Sequence, residues 1–418
     1  MAFRFVHTAD VHLDSPLRSL ALRDPELASL VETATRGTFT RIVDLCISEA
    51  VDGLLIAGDL YDGANTSMKT AAFLAAELRR LPDDITVFLI KGNHDAQSSI
   101  TARLDLPKNV KTFDGRGQTH QIESRDGDPV AAHGVSFADR HISEGLLPKY
   151  KTPIPNAINI GLMHTSLDGS PDHDPYAPVR AQELDQHGYH YWALGHIHKR
   201  AVHQLTATIV MPGIPQGRHI NENGPKSVTL ATITADGTVA LEERLLAVAT
   251  FERLAVEAGG AETLDDLRDA LEASLRQARA DVSVDHLILR VRITGESAAA
   301  WRFQRDAALI QETARQTARA FAGVWIENIE IALEAPATSA AGAGATIELA
   351  EDIAAVLATP AFAEEAAALV AEITRRLPAE ARDAFGADDE AIAATASNFA
   401  DEGAREALGR LAGPEVTD

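Results

Sequence analysis

The chain is nearly without cysteine, with a single thiol, Cys46, in 418 residues. No disulfide framework can form within it. Cys46 lies in the apolar, helix-like stretch 42–50, so it reads as a buried structural thiol. The start, MAFRFVHTAD, lacks a charged segment followed by an apolar one, and no run approaches the roughly 20 apolar residues that span a bilayer. A soluble, cytoplasmic protein without membrane contact is expected. No fixed-period repeat is present. Positive charge is also scarce: 38 Lys and Arg stand against 61 Asp and Glu, a formal net charge of -23. That balance argues against generic nucleic-acid binding, which is built from clustered bases.

The deficit is uneven along the chain. Residues 1–250 carry 30 acids and 23 bases (net -7), residues 251–335 carry 15 and 10 (net -5), and residues 336–418 carry 16 and 5 (net -11). The last fifth thus holds nearly half of the excess, and acids in the first segment that bind metal would be neutralised. The front half need not repel a polyanion.

The length predicts two or three domains rather than one core. From Phe3 to about residue 200, short apolar runs alternate with helix-like segments, the pattern of an α/β layered domain. Five runs end in polar clusters: TADVH, GDLYD, GNHD, HTS and GHIH. In open α/β sheets ligands bind beyond the carboxyl ends of the strands, so these five ends are expected to meet at one site. From Val202 the pattern turns to β, with a hairpin about Asp236-Gly237. The expected organisation is a catalytic domain over 1–245, a β-α-β-α-β domain over 246–334 with one helix from about Ala298 to Phe321, a small-residue linker over 335–346, and an acidic, Ala-rich helical tail over 347–418.

Hydrolysis of a phosphoester by two ions needs hard and borderline ligands, with one carboxylate able to bridge ions roughly 3.5 to 4 Å apart. The clusters supply such a set. Asp10 and His12 form D-x-H, Asp59 follows LLIAG, Asn93 and His94 follow TVFLIKG, His164 follows INIGLM, and His196 and His198 form H-x-H after WALG. A lone His after a strand is ordinarily a satisfied polar residue; five such clusters in this order are not explained that way.

The order D-x-H, G-D-x-x-D, G-N-H-D, H, G-H-x-H resembles the calcineurin-like metallophosphoesterases over residues 1–245. The resemblance implies a four-layer α/β/β/α sandwich. It places Asp10, His12, Asp59 and His198 on one divalent ion and Asp59, Asn93, His164 and His196 on a second, with Asp59 as the bridge. It further implies that His94 is a catalytic group that is not a ligand, serving the leaving oxygen or the phosphate charge, and that Asp62 orients it; a loop cap is the plainer reading of Asp62. Asp95 is expected to support the ligands through hydrogen bonds. The implied chemistry is direct hydrolysis by a hydroxide shared between the ions, and mixed N and O ligation suits Mn²⁺ better than Mg²⁺.

The segments FVHTADVHLDSPL, HTSLDGSPDHDPYAP, YWALGHIHKR and PGIPQGRHINENG resemble YhaO-type DNA repair exonucleases, and the order of catalytic domain, small cap domain and helical tail resembles SbcD-type nucleases. His190 departs from the acid that such relatives carry before Tyr-Trp. The resemblance implies DNA as substrate and an SMC-like coiled-coil ATPase as partner for the C-terminal helices. A homodimer contact, or packing on the cap domain, is the other use of the tail. Arg218, His219 and His173 are the candidate substrate contacts. Arg18, Arg23, Lys199 and Arg200 also flank the clusters, where phosphate contact and solvated surface are both open. Two other functions compete: a phosphodiesterase for a small nucleotide, which the net charge suits, and a non-catalytic member of an ATPase complex.

Overall fold

The computed structural model describes residues 2–15, 25–61, 67–97, 106–139, 142–167, 176–334, 344–376 and 389–411. Arg18, Arg23, Asp62 and His173 lie outside the described residues. The chain forms two compact units, Met1–Glu252 with Ser283–Ile288 and Arg253–Val282 with Leu289–Asp418.

In the first unit the apolar runs become buried parallel strands. β1 (Ala2–Thr8), β2 (Gly53–Ala57), β3 (Thr86–Ile90) and β4 (Val110–Thr112) pair in parallel, and β11 (Ser227–Thr234) and β12 (Val239–Leu245) add an antiparallel edge to give the order β12-β11-β1-β2-β3-β4. The hairpin between β11 and β12 closes with Gly237 at φ 85, a conformation glycine adopts without strain. A second six-stranded sheet holds β5 (Gln118–Glu123), β6 (Pro129–Gly134), β7 (Ile158–His164), β8 (Tyr191–Gly195), β10 (Thr208–Met211) and β9 (Ala201–Gln204), in that spatial order.

Strands covered on both faces read as continuous apolar runs, and Gly53–Ala57 and Tyr191–Gly195 are buried throughout. Between the sheets, Phe3, Phe5, Leu55 and Phe88 meet Val130, Ile160, Leu162 and Tyr191. On the outer face of the first sheet, α1 (Pro25–Ser48) and α2 (Met68–Leu78) bring Phe39, Ile42, Cys46, Leu74 and Leu78 onto Val6, Leu54, Ile56 and Val87. Cys46 is fully buried there, and burial pushes its thiol up, away from reactivity. On the outer face of the second sheet, Trp192, Leu194 and Ile209 are covered by Leu184 of α3 (Ala181–Gln186) and by Leu146 and Tyr150. The layers are therefore α/β/β/α.

The second unit is built on a three-stranded sheet of β13 (Ala249–Glu257), β14 (His286–Glu296) and β15 (Val324–Glu334), in that order. α4 (Leu264–Ala280) starts at Thr263, whose side chain and Asp266 exchange reciprocal hydrogen bonds, and it buries Leu267, Leu271 and Leu275. The single helix expected over 298–321 is two: α5 (Ala300–Arg305) and α6 (Ala307–Arg319) break at Asp306, whose φ -94 and ψ 23 leave the helical range. Asp306 pairs with the neighbouring Arg305 guanidinium at 2.9 Å. The C-terminal helices are α7 (Gly344–Leu357), α8 (Pro360–Arg376) and α9 (Asp389–Leu411), and α9 lies against both α8 and α5. No single described helix is long and apolar enough to cross a membrane.

Candidate metal centre

The carboxyl ends of β1, β2, β3, β7 and β8 meet at one edge of the two inner layers. Asp10 and His12 follow β1, Asp59 follows β2, Asn93 and His94 follow β3, His164 closes β7, and His196 and His198 follow β8. The loops interlock through their backbones: Asp10 N–H donates to Gly58 O (3.0 Å) and His12 N–H to Asp59 O (3.1 Å). Four of these residues sit at positive φ: Asp10 (53), His12 (46), Asp59 (50) and His196 (104). Such conformations cost on the order of 1–3 kcal/mol each and persist where the surroundings impose them.

Three glycines allow the close approach. A Cβ at Gly92 would lie 2.2 Å from Asp59 Oδ1, one at Gly58 2.5 Å from His164 Nδ1, and one at Gly195 2.1 Å from Ala57 O.

Two sets of donor atoms result. The ligating atoms of Asp10, His12 and His198 lie within 4.8 Å of one another, and so do those of Asp59, His164 and His196. In the first set, His12 Nε2 and His198 Nε2 stand 3.2 Å apart. In the second, His164 Nε2 lies 2.9 Å from Asn93 Oδ1 and 3.3 Å from Asp59 Oδ2. Two atoms that share a metal at about 2.0–2.2 Å each stand about 3 Å apart, so the spacing suits ligation. Ring orientation suits it too. His164 Nδ1 faces Ala57 O at 2.9 Å and His198 Nδ1 faces Glu222 Oε1 at 2.8 Å. A proton held on Nδ1 by those acceptors leaves each Nε2 lone pair for an ion. The residues present therefore fit two divalent ions.

The charges of the two donor sets act on one another through a buried site. Burial pushes Asp10 up, against the pull of His164 and His198. Burial also opposes the Asp59 charge, but His164 overcomes it and holds Asp59 below the usual carboxylate range. In return His164 is raised to about 9: burial works against its charge, and Asp59 outweighs burial. Burial, with the Arg218 charge, drives His12 well below its ordinary value. Asp95, raised to about 6 by burial and by Asp59, accepts backbone N–H groups from Leu60, Tyr61 and Gly92. One buried carboxylate thus joins the loops that carry Asp59 and Asn93.

His94 donates its backbone N–H to Asp59 Oδ1 at 2.9 Å, and its ring meets that of His12 edge-on at 5.1 Å between centroids. Of the candidate substrate residues, Arg218 lies beside the first donor set, its guanidinium held by Glu222 and 3.3 Å from Ser15 Oγ. His219 is more exposed, 3.7 Å from Glu222. Lys199 is exposed, whereas Arg200 is engaged with Thr229 and Glu243. Glu222 was not singled out in the sequence. Only its place four residues after Arg218 hints at a role, and many exposed pairs share that spacing. Burial opposes its charge, and His198 and Arg218 together hold it well below the usual range.

Comparison with known proteins gives the class to which the chain belongs. Residues 3–200 match the model of the calcineurin-like phosphoesterases. Residues 251–334 match that of the middle domain of the metallophosphoesterase YhaO. The chain is 33% identical over 280 residues to an uncharacterized metallophosphoesterase YhaO of Bacillus subtilis, spanning 66% of this chain and 68% of that one. It is 29% identical over 214 residues to the DNA double-strand break repair protein Mre11 of Methanopyrus kandleri, covering 47% of this chain and 44% of that protein. A shorter match, 31% over 110 residues, joins it to one of the proteins that make up the nuclease SbcCD of Rhodobacter capsulatus, covering 26% and 24% of the two chains. The chain belongs to the calcineurin-like metallophosphoesterases, hydrolases of phosphodiester bonds that use a dinuclear metal site. Within that class it carries the YhaO type of middle domain.

Proposed function

We propose that this protein is a metal-dependent DNA exonuclease of DNA repair that works with an SMC-like coiled-coil ATPase. The observation that carries the reading is the pair of adjacent donor sets, Asp10/His12/His198 and Asp59/His164/His196, with His94 beside them. Asp10, His12, Asp59 and His198 would hold one ion, and Asp59, Asn93, His164 and His196 the other, with Mn²⁺ favoured by the mixture of imidazole, amide and carboxylate ligands. Two bound ions make water a nucleophile near neutral pH and offset charge on the phosphate. The chain's own groups do the rest. His94 serves the phosphate as acid or electrostatic partner, and Arg218 and His219 serve as substrate contacts; Asp62 as the residue that orients His94, and His173 as a further substrate contact, are carried from the sequence alone.

DNA is supported as substrate by the likeness to proteins named for double-strand break repair and to a component of a nuclease. The charge of -23 does not oppose it decisively, since much of that excess lies beyond residue 335 and the ligand carboxylates are neutralised by the ions. The C-terminal helices support an ATPase contact through exposed apolar residues: Val356 on α7, Leu369 and Ile373 on α8, and Phe399 on α9.

Purified protein treated with chelator and reloaded with Mn²⁺ is incubated with end-labelled DNA and, separately, with a cyclic dinucleotide. Mn²⁺-dependent shortening of the DNA is expected. Turnover of the dinucleotide alone would replace this reading with a small-nucleotide phosphodiesterase.

A further inference from the structure

We propose that Glu222 is a positioning residue of the metal centre that serves two parts of it at once, aiming His198 at its ion and holding Arg218 at the edge where a phosphate enters. This inference rests on Asp10, His12 and His198 being ligands.

The carboxylate is almost wholly withdrawn from solvent, with 7% side-chain exposure, and both of its oxygens are used. Oε1 stands 2.8 Å from His198 Nδ1 and 2.8 Å from Arg218 Nη2. Oε2 accepts the Arg218 backbone N–H at 2.7 Å and its Nε–H at 3.3 Å. A planar guanidinium gripped along one edge, through Nε–H and Nη2–H, by both oxygens of one carboxylate has a fixed orientation. The same carboxylate fixes which nitrogen of His198 carries the proton and leaves Nε2 facing His12 Nε2 at 3.2 Å.

The second donor set is supported differently. His164 Nδ1 meets a neutral carbonyl, Ala57 O, at 2.9 Å. A carboxylate makes the opposite ring nitrogen a stronger ligand than a carbonyl does. The two ion positions are therefore unequal, and Glu222 acts on only one of them. Its second arm gives it a separate consequence. Arg218 keeps 14% side-chain exposure, lies 3.3 Å from Ser15 Oγ just past the D-x-H turn, and cannot swing away while Glu222 holds it.

The two arms separate in Glu222→Gln. Its amide oxygen can still accept from His198 Nδ1, but it has no charge with which to hold Arg218. Glu222→Ala removes both arms. Mn²⁺ binding is followed by calorimetry for the wild type and both variants, with melting temperature measured without metal to check the fold. Steady-state constants are taken on bis(p-nitrophenyl) phosphate. For Glu222→Ala, one of two binding events is expected to weaken about 10–100-fold while the other stays in place. Glu222→Gln, whose neutral oxygen still orients His198 but no longer strengthens it, should recover part of that affinity and raise KM, with kcat changed little. Loss of both ions together in Glu222→Gln, unchanged affinity for both ions in Glu222→Ala, or a KM unmoved in both variants would overturn the proposal. A wild type that binds fewer than two ions would overturn the ligand assignment beneath it instead.

Discussion

The carboxylate of Asp59 is shared between the two loops that matter most: its Oδ1 accepts the His94 backbone N–H at 2.9 Å, and its Oδ2 lies 3.3 Å from His164 Nε2. The residue proposed to bridge the ions therefore also sets where the proposed acid begins. Fixing the metals and fixing His94 are one structural event.

Asp59→Asn tests the bridge. The amide can still accept the His94 N–H but loses the charge that serves both ions, so calorimetry should show both Mn²⁺ events weakened and cleavage abolished. Normal binding of two ions by this variant would remove Asp59 from the bridging position.

His94→Ala separates chemistry from ligation. Acid and electrostatic groups typically contribute about 10² to 10⁴-fold, so kcat should fall within that range while two Mn²⁺ still bind. Asp62→Asn should lower the same step by a smaller factor. Metal loss in His94→Ala would make His94 a ligand instead.

Gly92→Ala should damage the centre without touching a ligand. Its Cβ would lie 2.2 Å from Asp59 Oδ1 and 2.7 Å from Asp59 N, so the Asp59 loop must shift. Weaker Mn²⁺ binding is expected, together with a stability loss of about 1–3 kcal/mol in denaturant titration, the usual range for overpacking. Wild-type affinity would mean that the loop tolerates displacement.

The C-terminal helices give the last test. Leu369 and Ile373 lie four residues apart on α8, 59% and 45% exposed. Leu369→Asp/Ile373→Asp should reduce co-purification with a candidate coiled-coil ATPase while leaving Mn²⁺-dependent cleavage of a short DNA intact. Equal recovery of the ATPase would leave those helices to packing within the second unit, where α9 lies against α5.

Much of this was legible in the sequence because strands buried on both faces must be apolar throughout, and the residues after them must be polar where they carry ligands. β1, β2, β3, β7 and β8 announced themselves in this way. β4, β5 and β6 did not: β5, QTHQIE, is a half-exposed edge strand whose pairing with β6 supplies its order, so it needs no apolar run. The break at Asp306 was hidden because the residues on both sides favour helix, and only backbone geometry shows the interruption.

By itself the sequence determined which residue types stand as proposed ligands, their order and the strand ends that bear them, because these depend on local chemistry and on the polarity pattern of single segments. Tertiary structure decided which atoms face each other. The positive φ of Asp10, His12, Asp59 and His196, the glycines pressed against Asp59 and His164, and the three N–H groups gathered by Asp95 arise where separate loops meet. Glu222 is the clearest case. In sequence it is one acid among 61, and it reaches His198 only because the chain returns after β10 to the end of β8, a closeness that spacing along the chain does not encode.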